Sequence, residues 1–127
     1  YPVYSHLAPD RRQVCWAHLR RDFQAMVDRR NAGSDIGESL LAHADILFVH
    51  WRKVRDGTRT RRWFERTHAG WLRNEVRLLL ERGRACPCAK TAAACREVAA
   101  VEASLWTFAR VSGVEPTNNA AERAVRH

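Results

Sequence analysis

The chain has 127 residues, 46% of them hydrophobic, enough for one domain with a core and too apolar for a disordered segment. Lys plus Arg number 22 against 14 Asp plus Glu, a net charge of +8. Lys53 and Lys90 are the only lysines, so the excess is arginine, whose planar fork matches phosphate geometry; a nucleic-acid partner is the leading expectation, and a solvated basic surface is the alternative.

Residues 1 to 11 carry Pro2 and Pro9 and read as a loop or edge segment. Gln13 to Trp16 is a short β-compatible run. From His18 the period becomes helical, with Leu19, Phe23 and Met26 on one side, until Asn31-Ala32-Gly33-Ser34 breaks it. A long helix follows. Asp35 with Glu38 fits a capping box, and Ile36, Leu40, Ala44, Leu47, Trp51 and Val54 form its stripe up to Gly57. A third helix starts at Thr58 or Thr60. Phe64, His68, Trp71, Leu72 and Leu79 mark its buried side, and Gly83 is its stop. Arg59, Arg61, Arg62 and Arg66 make its first turns positive, against the helix dipole; an external phosphate would relieve this conflict, and simple solvation at a small cost is the equal alternative. Pro87 suits the first position of a fourth helix, with Ala94, Val98, Val101, Leu105 and Phe108 as its stripe and Gly113 and Pro116 as its close. A last helix starts at Asn118 or Asn119. The pattern predicts a mainly α fold with at most one or two short strands, packed as a bundle or as antiparallel hairpins.

Trp16, Trp51, Trp63, Trp71 and Trp106 read as core residues; Trp63, following Arg61-Arg62, is the best exception and suits base stacking. The spacing of Cys86, Cys88 and Cys95 does not match common zinc sites, and Cys15-x-x-His18 lacks evident further ligands. Reduced thiols of an intracellular protein are the expectation. No apolar run is long enough to cross a membrane, and the N-terminus lacks a signal-peptide pattern. The chain starts without methionine and ends within a helical pattern, as expected of a piece of a longer protein.

Two stretches carry chemistry. In Asn118-Asn119-Ala120-Ala121-Glu122-Arg123, Asn119 can cap a helix whose third residue is Glu122, and Glu122 can pair with Arg126 one turn on. The same carboxylate can instead hold a metal ion. In Arg12-Gln13-Val14-Cys15-Trp16-Ala17-His18-Leu19-Arg20-Arg21-Asp22-Phe23, a short strand turns into a helix that directs Arg20 and Arg21 outward, within reach of phosphates. His18 sits at the turn, where a hydrogen-bonded structural role is the simpler reading.

Together, Cys15-Trp16-Ala17-His18-x-Arg20-Arg21-x-Phe23 and Asn118-Asn119-x-x-Glu122-Arg123, in this order and separation, resemble the transposases of the insertion-sequence-sixty-six family. Tyr1 and Tyr4 resemble the segment after that family's second catalytic aspartate. The resemblance spans essentially the whole chain. It implies a partial RNase H-like core of DDE type, in which three carboxylates hold two Mg²⁺ ions for DNA strand cleavage and transfer. It assigns Glu122 as the third carboxylate, both catalytic and metal-binding. Asn118, Asn119 and Arg123 would orient Glu122 or touch DNA. Residues 1-30 would be a strand-to-helix core segment, 34-112 a helical insertion, and 117-127 the helix carrying Glu122. Arg20, Arg21, Arg61 and Arg62 are further candidate DNA contacts.

The implied partner is DNA, both transposon ends and target, in the bacterial cytoplasm at the nucleoid. Whether copies assemble as a homo-oligomer is left open by the sequence. Neither family aspartate is identifiable, since Asp10 and Asp22 stand at the wrong places. One glutamate cannot hold two Mg²⁺ ions, so the chain alone is expected to be inactive. Two other classes compete at this point. One is a non-catalytic basic helical DNA-binding module or decayed transposase remnant; the other is a helical protein–protein module with incidental charge.

Overall fold

The computed structural model describes residues 11–117. They form α1 (Trp16–Asp28), α2 (Ser34–Arg55), α3 (Arg61–Phe64), α4 (Gly70–Arg84), α5 (Ala89–Ala100) and α6 (Thr107–Arg110). A π-helical turn, Glu65–Ala69, joins α3 to α4, and a 3-10 turn, Glu102–Leu105, precedes α6. The fold is mainly α, as the hydrophobic periodicity predicts, and no strand occurs among the described residues. This fits the expected ceiling of one or two short strands, while nothing among the described residues bears out the partial RNase H-like core. The β-compatible run before Trp16 is extended, but it pairs with no neighbouring strand. Val14 N–H donates to Ser104 O at 2.8 Å and Trp16 N–H to Pro116 O at 2.8 Å. These acceptors lie on a 3-10 turn and a loop, so no ladder can form.

Antiparallel helix pairs build the body. The end of α1 meets the start of α2, where a side chain on Gly37 would come within 2.7 Å of Phe23 O. Gly37 is therefore what lets the two backbones close up. In the α4–α5 pair, Gly83 faces Cys95 so closely that a Cβ would overlap the thiol. Gly83 was expected to stop a helix; instead α4 runs past it to Arg84, and its smallness serves packing. Helix α2 lies between the pairs and buries Ile36, Leu40, Ala44, Leu47 and Trp51, while Val54 is only partly covered.

The α2 start departs from the expected capping box. Its N-cap is Gly33, with no side-chain cap. Asn31 and Ser34 satisfy this turn instead: Asn31 Oδ1 accepts from Gly33 N–H at 2.9 Å and Ser34 Oγ from Asn31 N–H at 3.0 Å. Thr60 caps α3 by accepting from Trp63 N–H at 3.0 Å. Cys88 is the N-cap of α5, so the helix starts at Ala89 and not at Pro87. The stripe read as one helix from Ala94 to Phe108 breaks at Ala100, which turns Leu105, Trp106 and Phe108 into the core from a separate segment.

Trp51, Phe64 and Phe108 pack edge to face or tilted, with centroids 4.8–5.5 Å apart, and Trp16 meets Trp106 at 5.3 Å. Burying each phenylalanine contributes about 1.5–3 kcal/mol. Trp16, Trp51 and Trp106 are core, as expected, but Trp71 is 42% exposed. The π turn explains the difference. Buried positions run Phe64, Ala69, Leu72, Val76, Leu79, Leu80 and Gly83, so the first step is five residues and the stripe shifts away from Trp71.

Candidate nucleic-acid interface

Helix α2 ends on Arg52, Lys53 and Arg55, placed favourably at the negative end of its dipole. After the turn at Gly57 (φ +84°), α3 opens on Arg61 and Arg62. Two open depressions flank this corner. One, of about 380 Å³, is lined by Arg20, Phe48, Trp51, Arg52, Arg55 and Asp56. The other, of about 670 Å³, is lined by Arg61, Arg62, Glu65, Arg66, Ala109, Arg110 and Ser112. Both walls are rich in guanidinium groups, which suit phosphate oxygens.

Arg20 lies over the Phe48 ring, 5.1 Å from its centroid, and is hydrogen-bonded to Asp45. Arg21 is exposed on α1 and lines neither depression. Arg62 and Arg66 are exposed along the second depression. Arg61 is held differently. Its guanidinium donates to Phe108 O and to Val114 O (3.0 Å), pairs with Glu115 at 3.6 Å, and covers the Trp51 ring at 4.8 Å. The helix-start charge conflict is thus relieved at Arg61 by internal acceptors, a third outcome beside the external phosphate and the simple solvation that the sequence left open. Glu115 also accepts from Trp51 Nε1 at 3.4 Å and pairs with Arg55 at 3.9 Å.

This corner holds the approach to the second motif. Glu115 is fastened to Arg61, Arg55 and Trp51, and Pro116 O takes the Trp16 amide. Trp16 is buried, with its Nε1 donating to Leu105 O at 2.9 Å. Residue 116 therefore sits at the N-terminus of α1, against the first motif. Asn118, Asn119, Glu122 and Arg123 lie outside the described residues. His18 is exposed on the first turn of α1, and Cys15 is the N-cap without a side-chain cap bond.

A second feature lies where α2 faces the π turn. His50 and His68 stack with centroids 3.6 Å apart and planes at 12°. Trp63 stands 5.0 Å from His68 and 6.0 Å from His50. On the other side Trp71 lies 6.2 Å from His68 and 6.4 Å from His43. The Trp71 indole donates to His68 Nδ1 at 3.2 Å, so that nitrogen is unprotonated. Partial burial lowers the pKa of both His50 and His68; Lys53 lowers both further, and His50 adds to the effect on His68. Lys53 and Arg59 lie over Trp63, at 5.8 and 5.3 Å. Trp63 is partly buried and, as its neighbours in sequence suggested, keeps cationic company.

Sequence reasoning missed Glu115, Arg110 and this ring row. His43 and His50 are seven apart on α2, a spacing that puts them on one face and was a usable signal. The partners on α3 and α4 were hidden by the π turn. Cys88 was also missed: the neighbouring Thr91 at the α5 start lowers its thiol pKa to about 7, helped by Asn31 Nδ2, which donates to its Sγ at 3.3 Å, while burial raises that of Cys95 to about 11. Among the described residues no three His, Cys, Asp or Glu side chains stand close enough to hold a metal ion. No described helix is long and apolar enough to cross a membrane.

Among the described residues, an all-α body with two arginine-lined depressions around the α2–α3 corner defines a basic helical protein suited to a polyanionic partner. The family comparison is specific: the family described as Transposase IS66 family matches residues 1–127, the whole chain. The chain belongs to the IS66 transposase family. No curated protein and no solved structure matches it.

Proposed function

We propose that this chain is part of the catalytic region of a DNA transposase that performs metal-dependent strand cleavage and transfer of an insertion sequence. Glu122 is the third carboxylate of a DDE set on an RNase H-like core. Residues 34–112 are a helical insertion that turns arginines toward the DNA. The observation that carries this reading is the 2.8 Å hydrogen bond from Trp16 N–H to Pro116 O, because it brings the chain two residues before the second motif onto the first motif, across 100 residues of sequence. Glu122 would hold Mg²⁺ together with the two aspartates that the family pattern calls for; among residues 11–117 no metal-holding group of three occurs. Bound there, the ions would activate the attacking oxygen and stabilise the leaving 3′-oxygen. The chain's own arginines would bind and orient the backbone: Arg20, Arg52 and Arg55 in one depression, Arg62, Arg66 and Arg110 in the other.

In the complete transposase, Glu122→Gln is expected to bring strand cleavage to background while DNA affinity changes by less than about twofold, since the main phosphate contacts lie elsewhere. Cleavage retained in that variant would overturn the assignment. A second reading, a non-catalytic DNA-binding module, draws on the same arginine depressions; it is favoured if the complete protein with Glu122 intact binds DNA and never cuts it.

A further inference from the structure

We propose that the ring row His43, Trp71, His68, His50 and Trp63 is a stacking strip for unpaired bases of single-stranded DNA, with Lys53 and Arg59 meeting its phosphates at the Trp63 end. The proposal rests on the transposase reading for its DNA substrate but not on Glu122. Four observations carry it.

The rings are contiguous, each 3.6–6.4 Å from the next. They leave the core: Trp71 is 42% exposed, and His43, His50, His68 and Trp63 are only partly covered. The π turn, not the hydrophobic stripe, places His68 and Trp71 against the α2 histidines, and such turns are frequent at functional sites. The row contains no carboxylate and ends in two cations already over an aromatic ring.

The chemistry selects the partner. In a duplex the base faces are covered by their neighbours, so only an unpaired base offers a π face to Trp71. Stacking of this kind tolerates any sequence and contributes about 1–3 kcal/mol per base, a factor of roughly 5–150 in affinity. His68 Nδ1 accepts the Trp71 indole N–H, so the exposed ring is held in a set orientation. Lys53 and Arg59 supply the charge complement for the strand that carries the bases.

The test uses the full chain, an end-labelled oligothymidylate, and its duplex with oligoadenylate, read by fluorescence anisotropy. Trp71→Ala is expected to weaken single-strand binding by about tenfold and duplex binding by less than twofold, whereas Trp71→Phe keeps most of the single-strand affinity. His68→Ala, which removes both a ring and the Trp71 anchor, is expected to act in the same direction. Circular dichroism melts confirm that each variant folds. Unchanged single-strand affinity in Trp71→Ala overturns the strip, and so does an equal loss on duplex, which would make the row a general backbone contact. Exposed Leu78 lies seven residues from Trp71 on the same α4 face. Self-association that Leu78→Ala and Trp71→Ala both abolish, with single-strand affinity unmoved, would assign this face to a second copy instead. Duplex binding that persists after loss of the strip effect leaves the transposase reading intact, while absence of binding to either DNA overturns both.

Discussion

Single side chains here do work that their type does not reveal. Gln13 is buried, and its Nε2 donates to Leu105 O at 2.8 Å while its Oε1 accepts Phe108 N–H at 2.8 Å. It fastens the segment before α1 to the α6 start, assisted by Thr107 Oγ1 donating to Arg12 O at 2.6 Å. Gln13→Ala leaves the Phe108 amide buried without that acceptor. It is expected to cost about 2 kcal/mol, seen as a lower urea midpoint at unchanged slope. Nothing in the local pattern marks Gln13, because its Leu105 and Phe108 partners lie more than 90 residues away. Arg61 and Arg62 look equivalent in sequence, yet Arg61 is spent on Phe108 O, Val114 O and Glu115 while Arg62 is exposed. The His50–His68 stack has a pH signature. Both pKa values are lowered on folding, so the unfolded chain takes up protons more readily than the folded one. The stability the pair contributes is intact above the ordinary histidine value of about 6.5 and falls as pH drops below it. Melting temperature is expected to fall between neutral pH and about pH 5, and the fall is expected to shrink in a His50→Gln, His68→Gln double variant.

At the level of elements, the helices follow their apolar periods, but their junctions follow packing. The α2 stripe from Ile36 to Trp51 was legible because an unbroken helix repeats every 3.6 residues. Of the α3–α4 stripe, Phe64, Leu72 and Leu79 were legible, but Ala69, Val76 and Leu80 were not and Trp71 was misplaced. One five-residue step at the π turn rotates everything after it, exposing Trp71 and burying Val76. Close helix contacts depend on glycines that pattern analysis reads as breaks. Gly37→Ala puts a methyl group 2.7 Å from Phe23 O and 2.8 Å from the Met26 side chain, both on α1. It trades a small gain in helix propensity for overpacking, and a net loss of about 1–3 kcal/mol is expected in thermal or denaturant melts. At Gly70, where a Cβ would meet nothing within 4 Å, the Ala substitution is expected to be neutral or mildly stabilising, which makes it the control.

For the molecule as a whole, the arginine depressions make a quantitative claim about DNA. Binding is expected to weaken steeply with salt, because each neutralised phosphate releases counterions. Replacing Arg62 and Arg66 by Ala is expected to lower the slope of log affinity against log salt by about 1 per side chain. Arg61→Ala is expected to act mainly on stability, since its guanidinium faces protein acceptors. An affinity that ignores salt would rule out phosphate as the ligand of these depressions. Length, charge and apolar period were enough to read a basic, mainly helical chain, and two short motifs were enough to place it among IS66 family transposases, because such features are local. The hydrogen bond from Trp16 to Pro116, the capture of Arg61 by Glu115, and the ring row across α2 and α4 belong to the tertiary structure alone. Each joins residues from distant parts of the chain. Backbone amides and ring faces find partners only after the helices have packed, and no sequence period records those distances.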